Sequence, residues 1–250
     1  MALTGTDRGS GTNNTVNSSW TVTPGSNFTA GALGVLCVAA DNSSSQGATN
    51  NLGTVLTDSL GNQWIARAPV IFDNGTASAG VQGTIYTSDL SAGPPTTSTT
   101  ITVTTGTAAT AAKTWTLMEW TTNTPGAQVL FLDFGSRAGA TSTAATAFTL
   151  TTGTVQVGDG LVCALFMEAG TTQTLTGDSD TTNGSWSTQQ YNEIGSTTSG
   201  SAICSQRKVQ TTTASTQSWD PVPTLACDAI SAWITVREVP IKKLALAGVG

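Results

Sequence analysis

Trp20-Thr21-Val22-Thr23, followed by Gly34-Val35-Leu36-Cys37-Val38-Ala39, returns later in the chain as Phe148-Thr149-Leu150-Thr151, followed by Gly160-Leu161-Val162-Cys163-Ala164-Leu165. The opening segments alternate apolar residues with Thr, the period-two pattern of a strand with one buried face. The second segments are apolar on both faces, as central strands of a sandwich are. The recurrence continues in the same order. Asp58-Ser59-Leu60-Gly61-Asn62-Gln63-Trp64 is loosely echoed by Asp180-Thr181-Thr182-Asn183-Gly184-Ser185-Trp186, and Gly83-Thr84-Ile85-Tyr86-Thr87 by Gly200-Ser201-Ala202-Ile203-Cys204. Lys113-Thr114-Trp115-Thr116-Leu117-Met118-Glu119-Trp120 parallels Ala232-Trp233-Ile234-Thr235-Val236-Arg237-Glu238-Val239. Recurrence in order over this length points to a duplicated unit.

The reading is therefore all-β: two tandem homologous β-sandwich units, jelly-roll or Ig-like, with an N-terminal arm and a C-terminal tail. The expected boundaries are an arm over 1–16, unit 1 over 17–122, a connecting segment over 123–143, unit 2 over 144–239 and a tail over 240–250. Asp73-Asn74-Gly75 is a tight-turn signal and Leu60-Gly61-Asn62 a weaker one. No stretch holds helical apolar spacing. The connecting segment centres on Val129-Leu130-Phe131-Leu132-Asp133-Phe134, too apolar for a solvated linker, so it is expected to pack between the units or add an edge strand.

Composition excludes several functions. Only 10% of the 250 residues are charged, against about a quarter in an ordinary soluble domain. With no histidine, there is neither a Ser-His-Asp nor a Cys-His nucleophile system. A net charge of −6 with nine basic residues cannot neutralise a phosphate backbone, so no nucleic-acid partner is expected. Thr makes up about a fifth of the chain, which favours strands. The longest apolar run, Ala32 to Ala40, is too short to cross a bilayer as a helix, and no membrane partner is expected. Met1 to Thr15 shows no secretory signal pattern, which implies synthesis in a host cytoplasm. The Asn-x-Ser/Thr triplets are accordingly read as accidents of composition.

Cys37, Cys163, Cys204 and Cys227 each sit in a short apolar run and read as buried thiols. A Cys204–Cys227 disulfide stays open if their strands are neighbours. Without histidine, and without the spacing of a zinc ribbon, no metal site is expected.

The run Asp58-x-x-Gly61-Asn62-x-Trp64, Gly83-Thr84-Ile85-Tyr86, Thr100-Ile101-Thr102-Val103, Trp115 to Glu119, Ser218-Trp219 and Trp233 to Arg237 resembles the Thr/Ser-rich tandem β-sandwich modules of tailed-bacteriophage virion proteins and some bacterial surface proteins. The resemblance covers about 17–239 and rests on turn and core positions. It implies a structural or adhesive module: a capsid decoration (cement) protein, or a tail or fibre component. It supplies no catalytic residues. Two features depart from the pattern, the strand end Glu119-Trp120-Thr121-Thr122 and the extension beyond Val239.

Among carboxylates, Asp178 with Asp180, or Glu119 with its apparent counterpart Glu238, could be considered for acid–base work, but the acids are scattered singly and no enzyme is expected. Asp178-Ser179-Asp180-Thr181-Thr182-Asn183-Gly184 has the oxygen-rich look of a calcium loop, yet it fails the EF-hand spacing at its fifth, sixth and twelfth positions. The seven tryptophans could form a sugar-stacking platform, but repeat-equivalent Trp64/Trp186 and Trp115/Trp233 read as core. The candidate site is one of partner docking. Trp120, in phase with Met118, faces a partner or the other unit; Arg237, Lys242 and Lys243 supply charge; Ile241, Leu244 and Leu246 supply apolar anchors. No catalytic, cofactor-binding or metal-ligating residue is assigned.

The expected function is a non-enzymatic bacteriophage structural protein, most naturally a capsid decoration or cement protein, located in the virion. Its partners would be other virion subunits, the major capsid protein or tail components, and further copies of itself, with a trimer favoured. Contacts between hydroxyl- and amide-rich surfaces should be insensitive to salt. The alternative is a glycan- or receptor-binding module of a phage tail, fibre or bacterial surface, which aromatic residues exposed together on one face would favour.

Overall fold

The computed structural model describes residues 3–42, 49–73, 80–106, 110–196, 199–214 and 216–241. It is all-β apart from one turn of helix. The first half supplies β1 (Leu3–Asn13), β2 (Ser19–Val22), β3 (Leu33–Asp41), β4 (Val55–Asp58), β5 (Gln63–Phe72), β6 (Val81–Ser88), β7 (Ile101–Thr104) and β8 (Lys113–Thr122). The second supplies β9 (Ala127–Ser142), α1 (Ala145–Phe148), β10 (Leu150–Thr151), β11 (Gly160–Glu168), β12 (Leu175–Thr176) and β13 (Gln190–Ile194). It ends with β14 (Ser201–Val209), β15 (Ser218–Trp219), β16 (Val222–Pro223) and β17 (Cys227–Pro240).

The first eight strands form one sheet in the order β1-β8-β3-β6-β5-β4-β7-β2. The second sheet runs β13-β14-β11-β17-β9, with two short ribbons, β10-β15 and β12-β16. Read from its other edge, β9-β17-β11-β14-β13 matches β1-β8-β3-β6-β5 strand for strand. The duplication is thus visible in the topology, and it takes in more chain than the sequence suggested. Residues 1–16, expected as an arm, contain β1, paired with β8 from Leu3↔Thr122 to Asn13↔Lys113. Residues 123–143 contain the matching edge strand β9, paired along β17.

Three apolar cores stack through the molecule. In the first repeat, β2, β4 and β7 curl over β3, β6 and β8 to enclose Trp20, Val22, Leu36, Val38, Leu56, Trp64, Tyr86, Ile101, Trp115 and Leu117. The second repeat encloses Phe148, Leu150, Leu161, Cys163, Leu165, Trp186, Trp219 and Trp233. Between the sheets lies a third core built from both repeats, with Val35, Cys37, Ile85, Met118 and Trp120 against Val162, Phe166, Ile203, Ile230, Ile234 and Val236. Successive side chains of a strand point to opposite faces, so β3, β8, β11 and β17 each serve two cores. All nine residues of β3 and all nine of β11 are buried.

That double burial hides a register shift. Trp115 lies opposite Val38, and Trp233 opposite Cys163. Val38, not Cys37, is therefore the counterpart of Cys163. Cys37 faces the shared core while Cys163 faces the second repeat's own, because a one-residue slip reverses every side chain. The same register makes Arg237 the counterpart of Glu119.

Two glycines let the sheets approach. A Cβ on Gly83 of β6 would lie 2.1 Å from the Phe166 ring, and one on Gly160 of β11 would lie 2.7 Å from the Trp120 ring. Each sheet thus seats an aromatic side chain of the other on a bare backbone position. Buried hydroxyl pairs beside them, Thr114 with Ser201 at 3.0 Å and Thr116 with Ser205 at 2.8 Å, satisfy each other across the gap.

Polar groups fasten the periphery. The Lys113 ammonium is buried, and among the described residues no carboxylate forms a salt bridge with it. It donates to Thr15 O (2.6 Å), Asn17 Oδ1 (2.8 Å), Ala111 O (3.1 Å) and Asn13 Oδ1 (3.3 Å) and lies 5.0 Å from the Trp20 ring centroid. These bonds tie the chain after β1 to β8, and burial lowers the lysine pKa to about 8. At the β4–β5 hairpin Asp58 Oδ1 accepts the N–H groups of Leu60 and Asn62, while Gly61 takes φ +95°. Asn74 and Gly75 of the other turn signal lie outside the described residues.

Replacing Gly83 by Ala should destabilise the protein by about 1–3 kcal/mol, because the new methyl must displace Phe166 in a close-packed core. Adding Phe166→Leu should recover part of the loss. Thermal melts of the single and double variants measure this.

Candidate functional site

The sequence-predicted docking residues do not come together. Trp120 is fully buried in the shared core, so it faces the other repeat, and a partner cannot reach it. Arg237 makes a bidentate pair with Asp159, Nε to Oδ1 at 2.6 Å and Nη2 to Oδ2 at 2.7 Å, and this carboxylate raises its pKa. Its charge is spent inside the repeat. Ile241 is half exposed and donates its N–H to Gly126 O at 2.7 Å, continuing β17 beside the start of β9. Lys242, Lys243, Leu244 and Leu246 lie outside the described residues.

All seven tryptophans are core residues, none more than 8% exposed, so they offer no exposed stacking platform. Trp64 Nε1 reaches Asp58 Oδ2 at 3.3 Å and Trp219 Nε1 donates to Gln206 Oε1 at 2.8 Å.

The carboxylates considered for acid–base work are each engaged with other groups of the fold. Glu119, on β8, pairs with Arg8 of β1 and accepts the Thr29 N–H at 2.7 Å. Glu238 receives the Thr122 hydroxyl. In the register of the sheets Glu238 corresponds to Trp120, so the two glutamates sit on opposite faces of their strands. Asp178 accepts the backbone N–H of Asp180 (2.6 Å) and Asp180 that of Thr182 (2.8 Å), a run of Asx turns. Among the described residues no group of three or more Cys, Asp and Glu could hold a metal ion. The four cysteines are free and buried, which answers the question left open for Cys204 and Cys227. Burial pushes the Cys37 and Cys227 thiols up to about 12 and raises Cys163 and Cys204 too, which suppresses the reactive thiolate.

What the surface does offer lies along β9 and beside it. A cleft of about 460 Å3 opens between β5 and β9, lined by Gln63, Ile65, Arg67, Asp89, Leu130 and Phe131 among others. Arg67 Nε donates to Thr87 Oγ1 at 2.9 Å, and its guanidinium lies 4.5 Å from the Phe131 ring centroid. Among the described residues no carboxylate pairs with it. Leu130, Leu132 and Phe134 of β9 are 40%, 45% and 52% exposed. The sequence flagged this run as apolar; its exposure could not be read without knowing that β9 ends a sheet.

A cluster of acids sits at one end of the shared core. Glu168 Oε2 accepts the Gly80 N–H at 2.6 Å. Burial, with charge from Asp41 and Asp228, pushes the Glu168 carboxyl up to about 7, and burial alone does the same for Asp41. A carboxyl whose pKa is raised on folding holds its proton longer in the folded state, so stability falls as pH rises from about 4 to about 7 and levels off above. Glu168→Gln keeps an oxygen for Gly80 and carries no charge. It should flatten that fall and raise the melting temperature at pH 8 by about 2 °C or more, with little change at pH 4. Melts of wild type and variant across pH test this.

Comparison with known proteins adds no relative: no family model, curated protein or solved structure matches the chain.

Proposed function

We propose that this chain is a non-enzymatic structural protein of a bacteriophage particle, a capsid decoration or cement protein that works by contact area. One observation carries the reading. The tryptophans that a sugar-binding face would display are all committed to cores, while an apolar strand edge is left at the surface. The ion pairs Arg8–Glu119, Arg207–Asp7 and Arg237–Asp159 join residues of the same fold. With only 10% of the residues charged, the chain offers mostly neutral hydroxyl and amide groups, which cost less to desolvate than charges when a large contact forms. Its partners in this reading are the major capsid protein or tail components, with Ile241 and the residues after it as docking contacts.

A second reading, a glycan- or receptor-binding module of a tail, fibre or bacterial surface, draws on the β5–β9 cleft, whose Arg67 and polar lining suit a sugar better than the buried tryptophans do. Immunogold electron microscopy of particles purified from cells that make the protein separates the two. Antibodies against the chain should label the shells of particles. Label confined to tail tips, together with binding on a glycan array that Arg67→Ala abolishes, favours the second reading. Absence of label from all particles overturns both virion assignments.

A further inference from the structure

We propose that β9 is the self-association edge of this protein: two copies pair antiparallel about a two-fold axis at Gly135, with Asp133 of each copy opposite Arg137 of the other. The proposal concerns the chain's contact with itself and stands apart from its assignment to a particle.

The edge is open. β9 is terminal in its sheet, and among the described residues no strand pairs with its outer side. An unpaired edge presents a row of backbone donors and acceptors, and folded proteins protect such edges with charge, twist or cover. The repeat supplies its own control. The matching strand β1 is also terminal and reads Leu3-Thr4-Gly5-Thr6-Asp7-Arg8-Gly9-Ser10-Gly11-Thr12-Asn13, polar over nearly its whole length. The fold thus does not require an apolar strand at this place. β9 nevertheless exposes Leu130, Leu132 and Phe134, with the Phe131 and Phe134 rings stacked at 6.3 Å.

The occupant follows from the pattern of β9 itself. Its first half is bulky, Val129-Leu130-Phe131-Leu132-Asp133-Phe134. Its second half is mostly small, Ser136-Arg137-Ala138-Gly139-Ala140-Thr141. An antiparallel copy centred on Gly135 sets the bulky half of each chain beside the small half of the other, placing Leu132 opposite Ala138 and Phe134 opposite Ser136. It also sets Asp133 opposite Arg137 twice, once on each side of the axis. Opposite charges directly across a strand pair are favourable and like charges are not. The centre is regular: residues 133–137 pair with β17 from Thr235 to Ser231 without a register shift, and shifts lie on both sides of that stretch. Asp133 and Arg137 are exposed and, four residues apart on a regular strand, share one face. The contact is isologous and closes on itself as a pair.

Sedimentation velocity of the full chain over a concentration series tests this. Wild type should form a dimer. Asp133→Arg and Arg137→Asp should each raise its dissociation constant about tenfold, and the double variant D133R/R137D should regain it, since the exchange restores both cross-strand pairs. Phe134→Lys, at a half-exposed position, should dissociate the dimer without lowering the melting temperature. A wild type that stays monomeric overturns the proposal, as does a dimer that folded single reversals leave intact or that the double exchange fails to restore. Arg137 also donates to Thr149 O. If its reversal does not fold, Asp133→Arg and Phe134→Lys decide the matter, and persistence of the dimer in either one overturns it.

Discussion

The seating of Phe166 on Gly83 and of Trp120 on Gly160 is the contact on which the rest of the structure depends. Rings of this size fit between two sheets only where the facing backbone carries no side chain, so these glycines set the distance between the repeats. With that distance fixed, Val35, Cys37, Ile85 and Met118 meet Val162, Ile203, Ile234 and Val236 at core density, and the hydroxyls of Thr114, Thr116, Ser201 and Ser205 find one another. Burying a large apolar side chain is worth about 1.5–3 kcal/mol, so separating the sheets would forfeit far more than the few kcal/mol by which domains are stable. The two repeats are units of sequence and topology. As bodies they are one.

Much of this was legible from residue order. Trp20, Val22, Ile101 and Val103 alternate with Thr and fall on one buried face. Trp64 and Trp186, and Trp115 and Trp233, hold matching places because each repeat needs the same anchors. The Asp58-to-Trp64 turn reads directly from a carboxylate placed to accept backbone N–H groups around a glycine. The alignment of β3 with β11 was less legible, since strands buried on both faces lose the alternation that marks inside from outside. A glycine at the head of each run invited a match one residue out of step. A second match one residue out of step, Lys113–Trp120 with Ala232–Val239, paired Glu119 with Glu238, when the fold sets Glu119 beside Arg8 and its true counterpart Arg237 beside Asp159. Glu119 and Arg237 thus hold the same place in each repeat with opposite charge, but their partners come from different elements, Arg8 from edge strand β1 and Asp159 from just before β11.

β1 escaped notice for the opposite reason. An edge strand with one flank toward solvent has little need of apolar residues, and Gly, Ser, Thr and Asn in succession look like a tether. Its equivalent, β9, stood out because it breaks that economy. The docking residues chosen from sequence were chosen for charge and apolarity, yet the buried frame had already used Trp120 and Arg237. Chemistry visible in a sequence is available to a partner only where the fold has not consumed it.

The shared core has a consequence for the order in which the chain is made. On the ribosome β1 must wait for β8, about a hundred residues later, before its inner edge is paired. When β8 emerges the first sheet can close over its own tryptophans, but its other face, with Val35, Cys37, Ile85 and Trp120, has nothing to meet until β11, β14 and β17 have been synthesised. A half-made chain therefore displays a broad apolar face for the whole time its second half is being translated. During that interval it is exposed to pairing with another nascent chain, and polysome spacing and chaperone supply become determinants of yield.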